Sequence, residues 1–317
     1  MLGWLVAFST VAAQAPHVSI SGRVLRGGRE TAPLGNTWVV LHRITRDGGA
    51  PIDSVRSDAR GRYRIELQRP DTTGVYVVSA WYDSLAYFSS PVNVDHPAAH
   101  ADDIITYATT ANAPPIKLAR RLATIAHPGQ DGTREILEIL ELENTGQTAR
   151  ITRDTLVPTW AGRVPERGGQ FRGGQGDISP DAMLFRHDSV VVLAPIPPGP
   201  VKQLSYAYSL AADTRTFAIP IDQETTELNL LVEDTGAAVT APKLERLGVQ
   251  ELEQRRFAAY RAGPLKAGDR VEIQLPAGKF RAQAVVPYLI GLLAAGLVVA
   301  LVWALKKKPL AQPVTPS

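Results

Sequence analysis

The sequence contains no cysteine. No disulfide can form within it, so each folded domain must hold through its own core. Lysine is missing until Lys117, which leaves the first third of the chain without a side-chain amine. Net charge is small, +3 over 317 residues. That surplus equals Lys306, Lys307 and Lys308, so the rest of the chain is close to neutral. No basic stripe remains to neutralise phosphates, which argues against nucleic acid as a partner. Catalytic signatures are absent too. There is no Gly-x-Ser-x-Gly, no Gly-Lys-Ser/Thr phosphate loop and no His-x-x-Glu metal pair. No catalytic residue, cofactor site or metal site is expected.

What the chain does have is an apolar segment near each end. Residues 2–13 are apolar and run into small residues, so residues 1–15 are expected to be an export signal. Ala13 and Ala15 are both candidate cleavage points, and Pro16 favours the first. The basic start of such a signal is missing. Either the true start lies upstream or the segment stays uncleaved. Residues 287–305 carry no charge and, as a helix, would reach about 28 Å, enough to cross a hydrocarbon core. A transmembrane helix is expected at 286–305. The lysines that follow mark its cytoplasmic side, with 306–317 as a cytoplasmic tail. The body, to residue 285, is expected on the periplasmic side of the cell's inner membrane. Gly296, Ala300 and Ala304 recur every four residues, a spacing that lets helices pack closely and a homo-oligomer form through the span.

The body reads as short strands separated by turn chemistry. Residues 18–94 hold seven candidates: 18–25, 37–44, 52–57, 61–67, 74–82, 85–88 and 91–94. In 61–67, Tyr63, Ile65 and Leu67 alternate with Arg62, Arg64 and Glu66, the pattern of a half-buried strand. Asp58 reads as a turn residue that accepts backbone hydrogen bonds, with Gly61 supplying a positive φ. Too few acids surround Asp58 for a calcium loop. His42 is expected to face outward. This density of strands predicts a Greek-key β-sandwich over 16–95.

Several of these residues carry a resemblance. Gly22 and Val24 form a Gly-x-Val strand. Pro33 and Leu34 form a turn before an apolar strand. Ser57, Asp58, Gly61 and Tyr63 complete a Ser-Asp-x-x-Gly-x-Tyr pattern. Over residues 18–94 the chain resembles the carboxypeptidase regulatory-like domains of the transthyretin-like group. The resemblance implies an accessory module of the kind fused to enzymes, receptors and surface proteins, with no activity of its own. Related-looking adhesin domains form a Lys–Asn cross-link, which the missing lysine excludes here.

Residues 96–115 read as a linker ending in Pro114-Pro115. His96, His100 and Asp103 would share a face on a helix and make a zinc-like set, but Pro97 and the small residues favour solvated side chains. Residues 116–285 read as a second β-rich domain, also a sandwich. Its strands are expected at 135–146, 189–194, 204–210, 216–221, 228–233, 243–249, 257–261 and 271–275. Residues 247–260 have a mixed period and stay open between helix and strand. The Gly-rich stretch 166–179, with Arg167 and Arg172, reads as a long mobile loop with room for a ligand or partner contact. Glu135, Glu138, Glu141 and Glu143 read as the wet face and edges of a strand. Residues 275–279 look like a sortase signal without its threonine, and a plain strand end is the simpler reading.

The whole is expected to be mainly β: two β-sandwich domains and one C-terminal span. The expected function is a single-pass membrane-anchored envelope protein that binds or scaffolds a protein or glycan partner. Two alternatives stand beside it. One is a membrane-tethered hydrolase, which would need His127, His187, Asp177 and Asp188 to converge. The other is an accessory subunit of an envelope-biogenesis or secretion complex.

Overall fold

Alternating burial along the first strand sets up the first layer. In β1 (His17–Arg26), Val18, Ile20, Gly22 and Val24 are buried while the residues between them reach towards solvent. The computed structural model describes residues 17–276 other than 72, 113, 154–156, 187, 212 and 253. The expected leader, span and tail lie outside the described residues, as does residue 277 onward of the sortase-like stretch. Among the described residues no helix is long and apolar enough to cross a membrane.

The structure is mainly β. After β1 come β2 (Ala32–Pro33), β3 (Trp38–Thr45), β4 (Gly48–Arg56), β5 (Arg62–Gln68), β6 (Val75–Tyr82) and β7 (Leu85–Phe88). Two more strands, β8 (Ala98–His100) and β9 (Ile104–Thr106), follow within the segment expected to be linker. Both pair with β1 in parallel, so residues 98–106 of this segment complete a sheet of the first module. Small residues read as linker because they carry little burial signal, yet Ala99 and Ala101 are buried against the first core. The last expected strand, 91–94, is reduced to one bridge between Val92 and Tyr76. One sheet is organised around β1, and the other runs β4-β3-β6-β7. Val39, Leu41, Val78, Ile20 and Ile65 fill the core between them.

The resemblance residues meet in this module. Gly22 stands opposite Tyr63 in the β1–β5 register. A Cβ at Gly22 would lie 2.4 Å from the Tyr63 hydroxyl oxygen, so only glycine leaves room for that ring. Ser57 donates from Oγ to the Leu34 carbonyl at 2.7 Å, and Leu34 N–H donates to the Val24 carbonyl at 3.0 Å. Gly61 has φ +74, and a Cβ there would sit 2.3 Å from the Val24 oxygen. Asp58 Oδ1 accepts from the backbone of Arg60 at 2.8 Å and of Arg62 at 2.9 Å. It is the turn residue that its pattern suggests.

The second region begins with β10 (Thr109–Thr110), β11 (Lys117–Pro128), β12 (Thr133–Glu143) and β13 (Ala149–Arg150). It continues with β14 (Trp160–Arg163), β15 (Gly169–Gly173), β16 (Met183–Arg186), β17 (Ser189–Val192) and β18 (Lys202–Ala211). The last strands are β19 (Thr216–Pro220), β20 (Thr225–Val232), β21 (Ala238–Thr240), β22 (Glu245–Leu252), β23 (Arg255–Ala262) and β24 (Arg270–Gln274). A large sheet runs β15-β18-β12-β11-β20-β23-β22. Two small sheets, β14-β17-β16 and β19-β24-β21, supply residues to the same core. The ambiguous stretch 247–260 folds as the β22–β23 hairpin. Within the Gly-rich stretch 166–179, residues 169–173 form the edge strand β15 against β18, and the residues on either side are irregular. Some of its glycines are set by contact: a Cβ at Gly176 would lie 2.7 Å from the Gln203 carbonyl oxygen, whereas Gly169 has open space around it.

The two cores are separate. Between them β10 pairs in parallel with β13, and the Tyr87 hydroxyl donates to the Tyr107 carbonyl at 2.7 Å. Gly22→Ala is expected to destabilise the first module by about 1–3 kcal/mol, because a methyl is forced against a packed ring. Urea unfolding checks this, and an unchanged midpoint would show that the Tyr63 ring yields freely.

Candidate binding surface

Polar groups inside the second core are the first candidates for chemistry. Strand β11 contains a bulge between Leu118 and Arg120. The extra residue changes which side chains point inward, so Leu118 and Arg121 are both buried although three apart. Arg121 therefore enters the core and meets Glu138 on β12. Its Nε donates to Glu138 Oε2 at 2.6 Å and Nη2 to Oε1 at 3.0 Å. Nη1 donates to the Pro220 carbonyl at 2.9 Å, and the Tyr208 hydroxyl donates to Glu138 Oε1 at 2.9 Å. Glu138 is 0% exposed and Arg121 3%. This overturns the wet-face reading for Glu138: its alternation partners on β12 are Ile136 and Leu140, and both face the core.

Burial pulls the Arg121 pKa down, but the Glu138 carboxylate and its hydrogen bonds outweigh that, and the net shift is upward. Tyr206 and Tyr208 are raised well above the ordinary tyrosine range, by burial first and the Glu138 charge second. The cluster is closed to solvent and its charges are matched. It ties β11, β12, β18 and β19 together, which is a structural role.

Of the residues named for a hydrolase, the three described ones each take a different partner. His127 Nδ1 lies 2.8 Å from Asp234 Oδ1. Asp177 accepts from Gln203 N–H, and Asp188 accepts from Ser189 Oγ. His187 lies outside the described residues. In the former linker, Asp103 pairs with Arg23 at 2.5 Å, away from any zinc role with His96 and His100. Among the described residues no group of three or more metal-ligating side chains converges. A shallow cavity of about 290 Å³ is lined by residues 74–75 and 91–95, at the start of β6.

The outer face of β4-β3-β6-β7 is different in kind. On β3, Trp38, Val40, His42 and Ile44 alternate with the core residues Val39 and Leu41. On β6, Val75, Val77, Ser79 and Trp81 share that outer side, opposite Tyr76, Val78 and Ala80. Ser79 stands opposite both Val40 and Phe88. Val39 pairs with Ala80, so the next rung sets Trp38 beside Trp81. Trp38 is 48% exposed, Trp81 52% and Phe88 60%. A covered aromatic side chain removes about 150–250 Å² from water, so three left open on one face is an unfavourable arrangement for an unpartnered surface.

The polar groups on this face are few. Arg56 lies with its guanidinium carbon 4.3 Å from the Trp38 ring centre. Its Nη1 donates to the Asn36 carbonyl at 2.7 Å and to Asn36 Oδ1 at 2.9 Å. His42 Nε2 is 2.8 Å from Ser79 Oγ, and its ring is tilted against Phe88 at 5.8 Å. Burial lowers the His42 pKa, which keeps the imidazole neutral at neutral pH. His42 does face outward, as its position in the strand suggests. The full aromatic set was not picked out in the sequence. Its signal was there: TWVVLHRI and GVYVVSAWY are apolar on both sides, more than a one-sided core needs.

Glu138→Ala is expected to cost about 3–5 kcal/mol, since it strands a buried guanidinium. The double change Arg121→Met with Glu138→Leu is expected to lose much less. A double-mutant cycle by denaturant unfolding checks this; additive losses would mean the pair acts as two independent groups.

No protein-family model matches the chain, and no curated protein matches it. Among solved structures, the major plantain pollen allergen Pla l 1 is 12% identical, over 28% of this chain and 91% of its own, at TM-score 0.23. An M1 zinc metallopeptidase from Deinococcus radiodurans is 9% identical over 52% of this chain, at TM-score 0.33, and the match spans only 43% of the peptidase. The major pilin SpaA of Corynebacterium diphtheriae is 10% identical, over 82% of this chain and 86% of its own, at TM-score 0.21. The peptidase and the pilin are matched on β-rich domains. At these scores the likenesses carry no argument about family or activity.

Proposed function

We propose that the chain is a single-pass, membrane-anchored envelope protein that binds a partner through its extracytoplasmic β modules. The observation that carries this reading is the open aromatic face of the first module, with Trp38 48%, Trp81 52% and Phe88 60% exposed. Tryptophan and arginine are the residue types that dominate binding surfaces. The first module is read as carboxypeptidase regulatory-like. The support is the cluster in which Gly22, Val24, Leu34, Ser57, Gly61 and Tyr63 touch one another. Residues 1–15 act as the export signal and 286–305 as the anchor, on the sequence grounds of apolar length and flanking lysines.

The absence of cysteine gives a clean topology test. A single cysteine is placed at Ser54, on the first module, or at Ser317, in the expected tail. Intact cells are then treated with a membrane-impermeant maleimide that passes the outer wall layers. The Ser54→Cys protein is expected to label in intact cells, and the Ser317→Cys protein only after lysis. Labelling of Ser54→Cys that also waits for lysis would place the body inside the cell and end this reading.

A further inference from the structure

The aromatic face also indicates what kind of partner it takes, an inference that rests on the binding-module reading above. We infer that it is a stacking platform for an acidic glycan, a chain of linked pyranose rings carrying carboxylates. The first argument is shape. Trp38 and Trp81 stand on neighbouring strands, about 4.8 Å apart, on one side of a sheet. Phe88 lies one strand further, with Ser79 opposite it on β6. Two indoles carried at paired positions on one side of a sheet suit the flat, CH-rich faces of consecutive sugar rings.

The second argument is charge. Among the described residues on this face there is no carboxylate and one cation, Arg56. Arg56 bonds to Asn36 through Nη1 alone. Among the described residues Nε and Nη2 meet no acceptor, and the guanidinium carbon lies over the Trp38 ring. An unmatched cation beside open aromatics suits a ligand that brings both ring faces and a carboxylate. A second copy of this chain would not bring the carboxylate, because two such faces meeting would set Arg56 against a surface with none. Nucleic acid would need several phosphate contacts, and the face offers one guanidinium.

The third argument is that the sheet's edges are closed to strand addition. β4 carries Pro51 and a bulge beside Leu41 and His42, and β7 has only four residues. The face, not the edge, is left for binding. His42 and Ser79 supply neutral hydrogen-bonding groups in its centre.

The test uses the full-length protein in detergent micelles and two probes, hexagalacturonate and the neutral cellohexaose, followed by calorimetric titration. Saturable binding of hexagalacturonate is expected, weaker for cellohexaose. Trp38→Ala and Trp81→Ala are each expected to weaken it about ten-fold or more, in line with interface aromatics. Arg56→Gln is expected to remove the preference for the acidic probe, while Val249→Ser, on β22, leaves binding unchanged. Both tryptophans are exposed, so unfolding melts are expected to match the unaltered protein and confirm that the variants fold. The inference is overturned by no saturable binding of hexagalacturonate, or by binding that survives loss of both tryptophans. It is equally overturned if Trp38→Glu turns a dimer into a monomer, which would make the face a self-association surface. External labelling of Ser54→Cys together with absent glycan binding would sink this inference and leave the anchored-module reading standing.

Discussion

A buried guanidinium has to be matched, and the second module is arranged around that requirement. Removing Arg121 and Glu138 from water costs several kcal/mol per ion before any attraction is counted. The cost is offset only because Arg121 spreads its donors over both Glu138 oxygens and the Pro220 carbonyl, while Tyr208 donates to the same carboxylate. Those partners come from four strands. The bulge at residue 119 is what aims Arg121, rather than Arg120, at them. Arg120 instead stays outside and reaches Glu141 at 3.2 Å. One inserted residue thus assigns one arginine to the interior and its neighbour to the surface.

The two modules treat their outer sheet faces in opposite ways. The large sheet of the second module carries ion pairs across its strands, including Arg120 with Glu141 and Glu135 with Arg172. Such pairs add little to stability, but they keep a broad face wet and single. Among the described residues the four-stranded sheet of the first module shows no such pairs on its outer side. It has indole, phenyl and aliphatic groups, with one guanidinium over the Trp38 ring. The outer face is apolar in one module and charged in the next, although both sheets are built by the same alternation.

Much of the fold was legible in the sequence. Alternation located β1 and β5, apolar runs between turn residues located β3, β6 and β7, and turn chemistry located Asp58 and Gly61. β11 was missed because Arg120 and Arg121 interrupt its apolar rhythm, and a bulge cannot be seen without a partner strand. Glu138 was misread for the same reason: a glutamate among glutamates looks wet until the arginine that neutralises it is found. β8 and β9 were missed because alanine and a short isoleucine pair carry little pattern, and their pairing with β1 is a matter of distance in the chain. The aromatic face was half visible. The residues were apolar on both sides of the strand, but nothing in the sequence says which side goes uncovered.

That long-range pairing bears on when the first module can form. Strand β1 lies between β5 on one side and β8 on the other, and its last residues lie between β2 and β9. Arg23 and Asp103 are partners across a sequence separation of 80 residues. As the chain emerges from whatever makes or exports it, β1 comes first and its final neighbours come near the end of the module. Until residue 106 has arrived, β1 keeps one edge unpaired, and an unpaired edge is open to any other strand. The earliest part of the described chain is therefore the last to be secured, and a delay in its passage would lengthen the time it stays exposed.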